Sequence, residues 1–285
     1  MIKSSKNMLV IQSIWLFLFL NNISFIFSPS VTTTRIVVVF SLVLIGTLGL
    51  LKKIESKQLY FILSCVILGV INYLVSLFLG GDATQLSRLI HFALYSIASA
   101  TIFYCLYQDE LIFHKAVVIA TLIQVMFVFV TYSSLTVNNF IFSYVFITHD
   151  FLENLGRAPG LSSSGGAALS LIISLGAFSV VRLSMLEKKS WYIPILFLIV
   201  FSQVLVGRTG LLLTLLAFIL LLIYSKINLK TLILSSLLFI LCQIFLLDYI
   251  AANEQFHAYT MKWAGSSLTG DDGTISALLD MKVRE

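Results

Sequence analysis

From Trp191 to Tyr224 the chain reads WYIPILFLIVFSQVLVGRTGLLLTLLAFILLLIY, 34 residues with one charged side chain, Arg208. As a single helix this run would be about 51 Å long. That is too long for a bilayer core of roughly 30 Å, even with tilt. The length predicts two helices, 191–206 and 209–225, joined by a turn at GRTG where Gly207 and Gly210 free the backbone. Arg208 then stands at a membrane surface. At mid-bilayer it would cost roughly 2.5–3.5 kcal/mol.

Seven further stretches are similarly apolar: 8–27, 36–51, 59–79, 88–107, 115–134, 163–183 and 230–250. Hydrophobic residues make up 59% of the chain and charged residues 11%, against roughly 45–50% and 25% in a soluble domain. The expected fold is an all-α integral membrane protein, a polytopic bundle of about nine transmembrane helices. It occupies residues 1–250, with an external loop at 135–162 and an external tail at 251–285. The first stretch lacks a small-x-small cleavage site and reads as an uncleaved span. Cys65, Cys105 and Cys242 lie in apolar stretches without CxxC spacing, and the four histidines are not paired at ligand spacing. No metal and no cofactor is predicted. A net charge of +5 fits a cytoplasmic loop bias better than nucleic-acid binding.

With the N-terminus cytoplasmic, the inner segments hold Lys3, Lys6, Lys52, Lys53, Lys57, Lys115, Arg182, Lys188, Lys189, Lys226 and Lys230. The outer loops hold Arg35, Arg88, Arg157 and Arg208, each at the start of a span. This satisfies the positive-inside rule and predicts a multi-pass cell-membrane protein with an external C-terminus. The external tail adds Lys262, Lys282 and Arg284, but among the rest ten of the eleven inner cations are Lys and all four in the outer loops are Arg. Lys suffices for topology, whereas the Arg fork grips phosphate or carboxylate with two hydrogen bonds. Snorkelling at helix ends is the competing explanation for the arginines.

Two outer segments exceed a turn. In 135–162, LTVNNFIFSYVFITHDFLENLGRAPGLS, the patch FIFSYVFI is too short to span and is expected to lie in the interface or dip in and return. His149, Asp150, Glu153 and Arg157 follow it. The second is the tail, which carries His257. Within RAPGLSSSGGAALSL, 157–171, Ser and Gly leave backbone N–H groups free at a helix start, which favours an anion. Helix capping and small-residue packing account for the same residues equally well. Asp271-Asp272 in TGDDGT reads as a turn more readily than as a metal site. His91 reads as a packing or interfacial histidine, and Asp82 as solvated. His114, with Asp109 and Glu110, is expected in a cytoplasmic loop. No Asp, Glu or Lys falls near a span midpoint, which argues against an ion-coupled transporter.

Two motifs, RAPGLSSSGGAALSL at 157–171 and VGRTGLLLTLLAF at 206–218, resemble the O-antigen and capsule repeat-unit polymerases and the related O-antigen ligases. The resemblance covers roughly residues 85–281. GTISALLDM, 273–281, looks like the opening of that family's large external loop, so the tail reads as the start of an incomplete loop in a truncated copy. Leu278 stands where an Arg would be expected. The resemblance implies a glycosyltransferase-C-like helical bundle. It implies metal-independent transfer of an undecaprenyl-diphosphate-linked glycan to a sugar hydroxyl outside the cytoplasmic membrane. Arg157 and Arg208 are the positions that match as diphosphate ligands; Arg88 and Arg35 join them on the topology argument. The general base is expected at His257, or at His149, Asp150 or Glu153. Implied partners are the lipid-linked oligosaccharide, a chain-length regulator and a flippase. A ligase-type transferase and a lipid-linked glycan transporter are the alternative readings.

Overall fold

The computed structural model describes residues 6–47, 56–78, 89–95, 109–147, 158, 160–163, 166–189 and 191–224, with single helical positions at 233 and 237. Most of these residues are helical. In chain order the helices are α1 (Lys6–Asn21), α2 (Thr33–Thr47), α3 (Ser56–Phe78), α4 (Glu110–Ser133), α5 (Leu135–Phe142), α6 (Gly166–Glu187), α7 (Tyr192–Val206) and α8 (Arg208–Tyr224). Residues 89–95 are also helical and belong to the expected fourth span. The strands are β1 (Ser24–Phe25), β2 (Ser28–Thr32) and β3 (Val145–Phe146). The expected ninth span, 230–250, lies outside the described residues except for positions 233 and 237, and the tail 251–285 lies wholly outside them.

Eight of the nine expected apolar segments thus carry helix, but they differ in reach. Among the described residues, α4 with 24 residues and α6 with 22 are long and apolar enough to cross a membrane. At 1.5 Å per residue they measure about 36 Å and about 33 Å. Others are shorter: α2 and α7 have 15 residues each, about 22 Å. The 34-residue run breaks as its length demands, with α7 ending at Val206 and α8 beginning at Arg208. The break differs from the expected turn, however. Gly207 is extended, at φ 177° and ψ 149°, a conformation open to any residue.

Helix α6 is the hub. It packs against α4, α7 and α8, and touches α1. Its core residues Leu169, Ile173, Ala177 and Val180 are fully buried with Leu196 and Ile199 of α7 and Val128 of α4. A second cluster joins Leu16 and Phe17 of α1 to Ala116, Val117 and Ala120 of α4. Glycine sets the α4–α6 spacing: a Cβ at Gly176 would stand 2.6 Å from the Thr121 Cβ and closer still to its Oγ1 and Cγ2. Small residues of this kind let helix backbones approach where no hydrophobic effect drives them together.

The ends of the helices explain their starts and stops. Asp109 is extended and accepts from the Leu111 N–H at 2.9 Å, capping α4. Ser134 ends α4 and caps α5 by accepting from Val137 N–H at 3.3 Å. Asn22, at φ 45°, closes α1 in the left-handed region that Asn tolerates. The carbonyls left open at the end of α1 are met from α2. The Thr33 hydroxyl donates to Leu18 O and that of Thr34 to Phe19 O, both at 2.8 Å. Between the two helices a small antiparallel sheet forms in the order β2-β1-β3. Ser24 pairs with Thr32 on one side and with Phe146 on the other. The sheet is an addition to the expected all-helical fold. It uses Val145 and Phe146 of the apolar patch that was expected to lie in the interface.

Around this apolar core, several helices expose apolar side chains and bury small polar ones. On α2 the outward side chains include Ile36, Val39, Phe40, Val43 and Leu44, and α3 exposes Tyr60, Phe61, Leu68 and Phe78. Gln124, Gln203, Ser170, Ser202 and Thr214 are instead fully buried. Most of those hydroxyls donate back to their own helix, as Ser202 does to Ile199 O at 2.8 Å and Thr214 to Gly210 O at 2.7 Å. Such bonds satisfy hydroxyls within a helix.

Substitution Gly176→Ala is expected to overpack the α4–α6 contact and cost about 1–3 kcal/mol. Adding Thr121→Ala should recover part of the loss. Thermal unfolding of the detergent-solubilised protein, followed by size exclusion, measures both. An unchanged midpoint for Gly176→Ala would show that the two helices do not meet this closely.

Candidate functional site

The two motifs singled out in the sequence meet at one end of the bundle. Ala158, the residue after Arg157, is fully buried, and its N–H donates to Leu205 O on α7 at 2.9 Å. Gly160 follows at φ +56°, where a Cβ would stand 2.6 Å from Gln124 Nε2, so side chains are excluded by both conformation and space. Ser162 and Ser163 are also buried. Ser163 Oγ accepts from Ser24 N–H at 2.6 Å, which ties the small sheet to the start of α6. Ala158 is therefore stitched to α7 and Ser163 to β1.

The opening turn of α8 is held from α6. Gly210 N–H donates to Ser170 Oγ at 3.2 Å, and Gln203 Nε2 donates to Ser170 O at 2.7 Å. Ser170 Oγ in turn donates to Ala167 O at 2.8 Å. One serine thus joins α6, α7 and α8, satisfying an amide of the α8 first turn. The two glycines around Arg208 have different tasks. A Cβ at Gly210 would lie 2.6 Å from Ser170 Cβ and 2.5 Å from Gln203 Oε1, so Gly210 permits close helix approach. At Gly207 an added Cβ would meet Ser170 at an ordinary 3.5 Å.

Of the candidate diphosphate ligands, Arg208 is the first residue of α8, while Arg157 and Arg88 lie outside the described residues. Arg35 stands in the first turn of α2, exposed, with its guanidinium Nη1 donating to Ser30 O. The candidate bases His257, His149, Asp150 and Glu153 also lie outside the described residues, as do Asp82 and Asp271-Asp272. His91 is exposed on the helical stretch 89–95, its ring 6.1 Å from that of Tyr95. Among the described residues no cluster of three or more His, Cys, Asp or Glu is arranged to hold a metal ion.

The opposite end carries the charges, and here one expectation is corrected. His114, Asp109 and Glu110 do not form a loop, because the Asp109 cap starts α4 early and places Glu110 and His114 on its first turns. Arg182 of α6 reaches Glu110 at 2.6 Å, and His114 lies 3.7 Å from Glu110 and 3.2 Å from Ser179 Oγ. Glu187 binds Lys115 at 2.5 Å and Lys189 at 2.8 Å, and accepts from the Tyr192 hydroxyl at 2.9 Å. Glu110 and Glu187 lie beyond the apolar stretches 115–134 and 163–183. The hydrogen bond from Arg182 lowers the Glu110 carboxyl, and Lys115 and then Lys189 hold Glu187 down at about 2. The sequence offered one signal for this end, the acidic pair at 109–110 before an apolar run, which is a helix-start pattern.

Comparison of the chain with protein-family models, with curated proteins and with solved structures finds no match.

The two glycines of GRTG should separate by substitution. Gly210→Ala is expected to force α8 off α6 and lower stability by about 1–3 kcal/mol. Gly207→Ala should stay within about 0.5 kcal/mol of the parent. Thermal midpoints in detergent report the difference. Equal effects at the two positions would contradict the α6–α8 contact.

Proposed function

We propose that this protein is a multi-pass membrane glycosyltransferase that polymerises undecaprenyl-diphosphate-linked repeat units at the outer face of the cytoplasmic membrane. Its full fold on this reading is a glycosyltransferase-C-like bundle of about nine spans. The observation that carries the reading is the junction at Ser170. The bond from Ala158 to Leu205 O ties the residue after Arg157 to the end of α7, and the bond from Gly210 to Ser170 Oγ ties the first turn of the helix that Arg208 opens to α6. The residue that follows Arg157 and the helix that Arg208 opens are thereby both tied into the same end of the bundle.

Two further observations support it. The exposed apolar faces of α2 and α3 suit a lipid surround. Lys115, Arg182, Lys188 and Lys189 cluster at the end away from that junction, which matches a cytoplasmic side. Among the described residues the buried polar side chains are Ser, Thr, Asn and Gln, with no Asp, Glu, Lys or Arg. An ion-coupled transporter usually needs an ionisable group there, so the transferase reading is favoured over transport.

In the proposed step the acceptor hydroxyl oxygen attacks the anomeric carbon of the donor glycan. The bond from that carbon to the diphosphate oxygen breaks, and undecaprenyl diphosphate leaves with the electron pair. The hydroxyl proton passes to a base from the external segments: His257, or His149, Asp150 or Glu153. Arg157 and Arg208 stabilise the charge that develops on the leaving diphosphate, with Arg88 and Arg35 as further candidates. A chain-length regulator and a flippase are the expected partners.

Orientation is tested by single cysteines in a chain lacking Cys65, Cys105 and Cys242. Ser143→Cys, exposed beside the sheet, should react with an impermeant thiol reagent in intact cells. Lys188→Cys, exposed at the charged end, should resist. The reverse pattern would place the Ser170 junction on the wrong side of the membrane.

Chemistry is tested at Arg208 in the native chromosomal copy, with polymer read as a glycan ladder and membrane protein level as control. Loss of one diphosphate contact costs about 3 kcal/mol, roughly a hundredfold in rate. Arg208→Ala should show that loss. Arg208→Lys should fall well short of the parent, because an ammonium lacks the bidentate fork. A normal ladder from Arg208→Ala at normal protein level would leave the arginine as a helix-end marker only.

A further inference from the structure

Gln124 is fully buried in α4, and among the described residues neither its amide nitrogen nor its amide oxygen has a hydrogen-bond partner. It sits nine residues before Ser133, about 13 Å in from the end of α4. What covers it there is not a helix. An ideal Cβ on Gly160 would stand 2.6 Å from Gln124 Nε2, 3.0 Å from Leu169 Cδ2 and 3.1 Å from Val128 Cγ2. The Gly160 backbone therefore lies directly on the amide. Gly160 is in the left-handed region, at φ +56°, and Ala158, Gly160, Ser162 and Ser163 are all buried in irregular backbone. Connecting segments ordinarily run over a protein's surface, where water meets their polar groups. This one dips into the bundle and rests on an amide that nothing satisfies.

The closed arrangement is costly. A buried amide without partners has given up its bonds to water and gained none in return. The cover is also lightly held. Ala158 N–H donates to Leu205 O at 2.9 Å and Ser163 Oγ accepts from Ser24 N–H at 2.6 Å, and these two ties bracket the stretch that dips. We propose that Gly160–Ser162 is a strap that opens and closes over Gln124, with Ala158 and Ser163 as its hinges and the unpartnered amide as the group that favours opening. Closed, the strap packs on Leu169 and Val128. Open, the Gln124 amide both donates to and accepts from water. The strap is independent of the transferase reading, because Gln124, Gly160, Leu161 and Ser162 are neither candidate diphosphate ligands nor candidate bases.

Thiol kinetics and thermal unfolding of the detergent-purified full chain test the strap. Ser162→Cys, in a chain lacking Cys65, Cys105 and Cys242, places a buried thiol on it. That thiol should react slowly with an impermeant reagent, at a rate set by opening. Ser174→Cys, buried within α6, reports global unfolding and should stay protected. Gln124→Met keeps the side-chain length and removes the amide. It should slow labelling at position 162 roughly tenfold, the scale of one buried polar group left unsatisfied, and raise the thermal midpoint. Gly160→Ala, whose Cβ would meet the amide, should speed labelling while the size-exclusion profile stays that of the parent, since the strap lifts and the helices remain packed. If Gly160→Ala fails to fold, Gln124→Met decides alone. Faster labelling and a lower midpoint in Gln124→Met would overturn the strap in favour of a fixed cover over an amide satisfied by bound water. An unchanged labelling rate in Gln124→Met overturns it whatever the midpoint does. Complete protection of Ser162→Cys, or labelling no faster than at Ser174→Cys, overturns it as well.

Discussion

Ser170 holds three helices together with two hydrogen bonds and no charge. Its hydroxyl takes an amide from the first turn of α8, and its carbonyl takes the side-chain amide of Gln203 on α7. On the proposed reading of the chain as a membrane protein, helices gain little from burying more hydrocarbon, so association rests on close packing and on polar groups that find partners. The small residues around this point follow from that constraint. Gly210 must lack a side chain for α8 to come within bonding distance, and Gly176 plays the same part where α6 meets α4. Position, and with it the relation between the Arg157 and Arg208 segments, depends on these contacts.

The fold was legible in the sequence where a single physical quantity governed it. The 34-residue run exceeds a bilayer, and the chain breaks within one residue of Arg208. The alternation of apolar stretches located eight helices. What stayed illegible depended on neighbours far away in the chain. The GRTG glycines read as turn-formers, yet Gly210 answers to Ser170, 40 residues earlier, and Gly207 is merely extended. Asp109 and His114 read as loop because the apolar pattern begins at residue 115; the Asp109 cap and the Arg182 partner begin the helix at Glu110. Strands of two residues carry too little pattern to be seen. At the candidate site, the meeting of the two motifs could be expected only through a family resemblance, because no local rule pairs residue 158 with residue 205.

The bundle is chemically polar along its length. At one end ion pairs fasten α4 to α6, with Glu187 serving two lysines and a tyrosine. The other end is fastened by backbone amides, hydroxyls and a short sheet, without an ion pair among the described residues. Surface ion pairs weaken with salt, whereas buried neutral hydrogen bonds do not. The two ends therefore respond differently to ionic conditions. The end that carries the Ser170 junction is the insensitive one.

The three-stranded sheet has a consequence for the order in which the molecule is made. β1 and β2 leave the ribosome as a hairpin, already supported by the Thr33 and Thr34 bonds to α1. Their partner β3 lies at Val145–Phe146, more than a hundred residues later, on the order of ten seconds at ordinary synthesis rates. Through that interval β1 presents an open edge, bare N–H and C=O groups at the head of a finished helical hairpin. It closes only after α4 has been laid down and α5 has turned the chain back. The Ser24 amide then waits further for Ser163. The sheet is therefore a late clasp, a closure that forms only once the α1–α2 hairpin and α4 stand side by side. A nascent chain with α4 laid down in the opposite direction would carry β3 to the wrong end and leave the clasp undone.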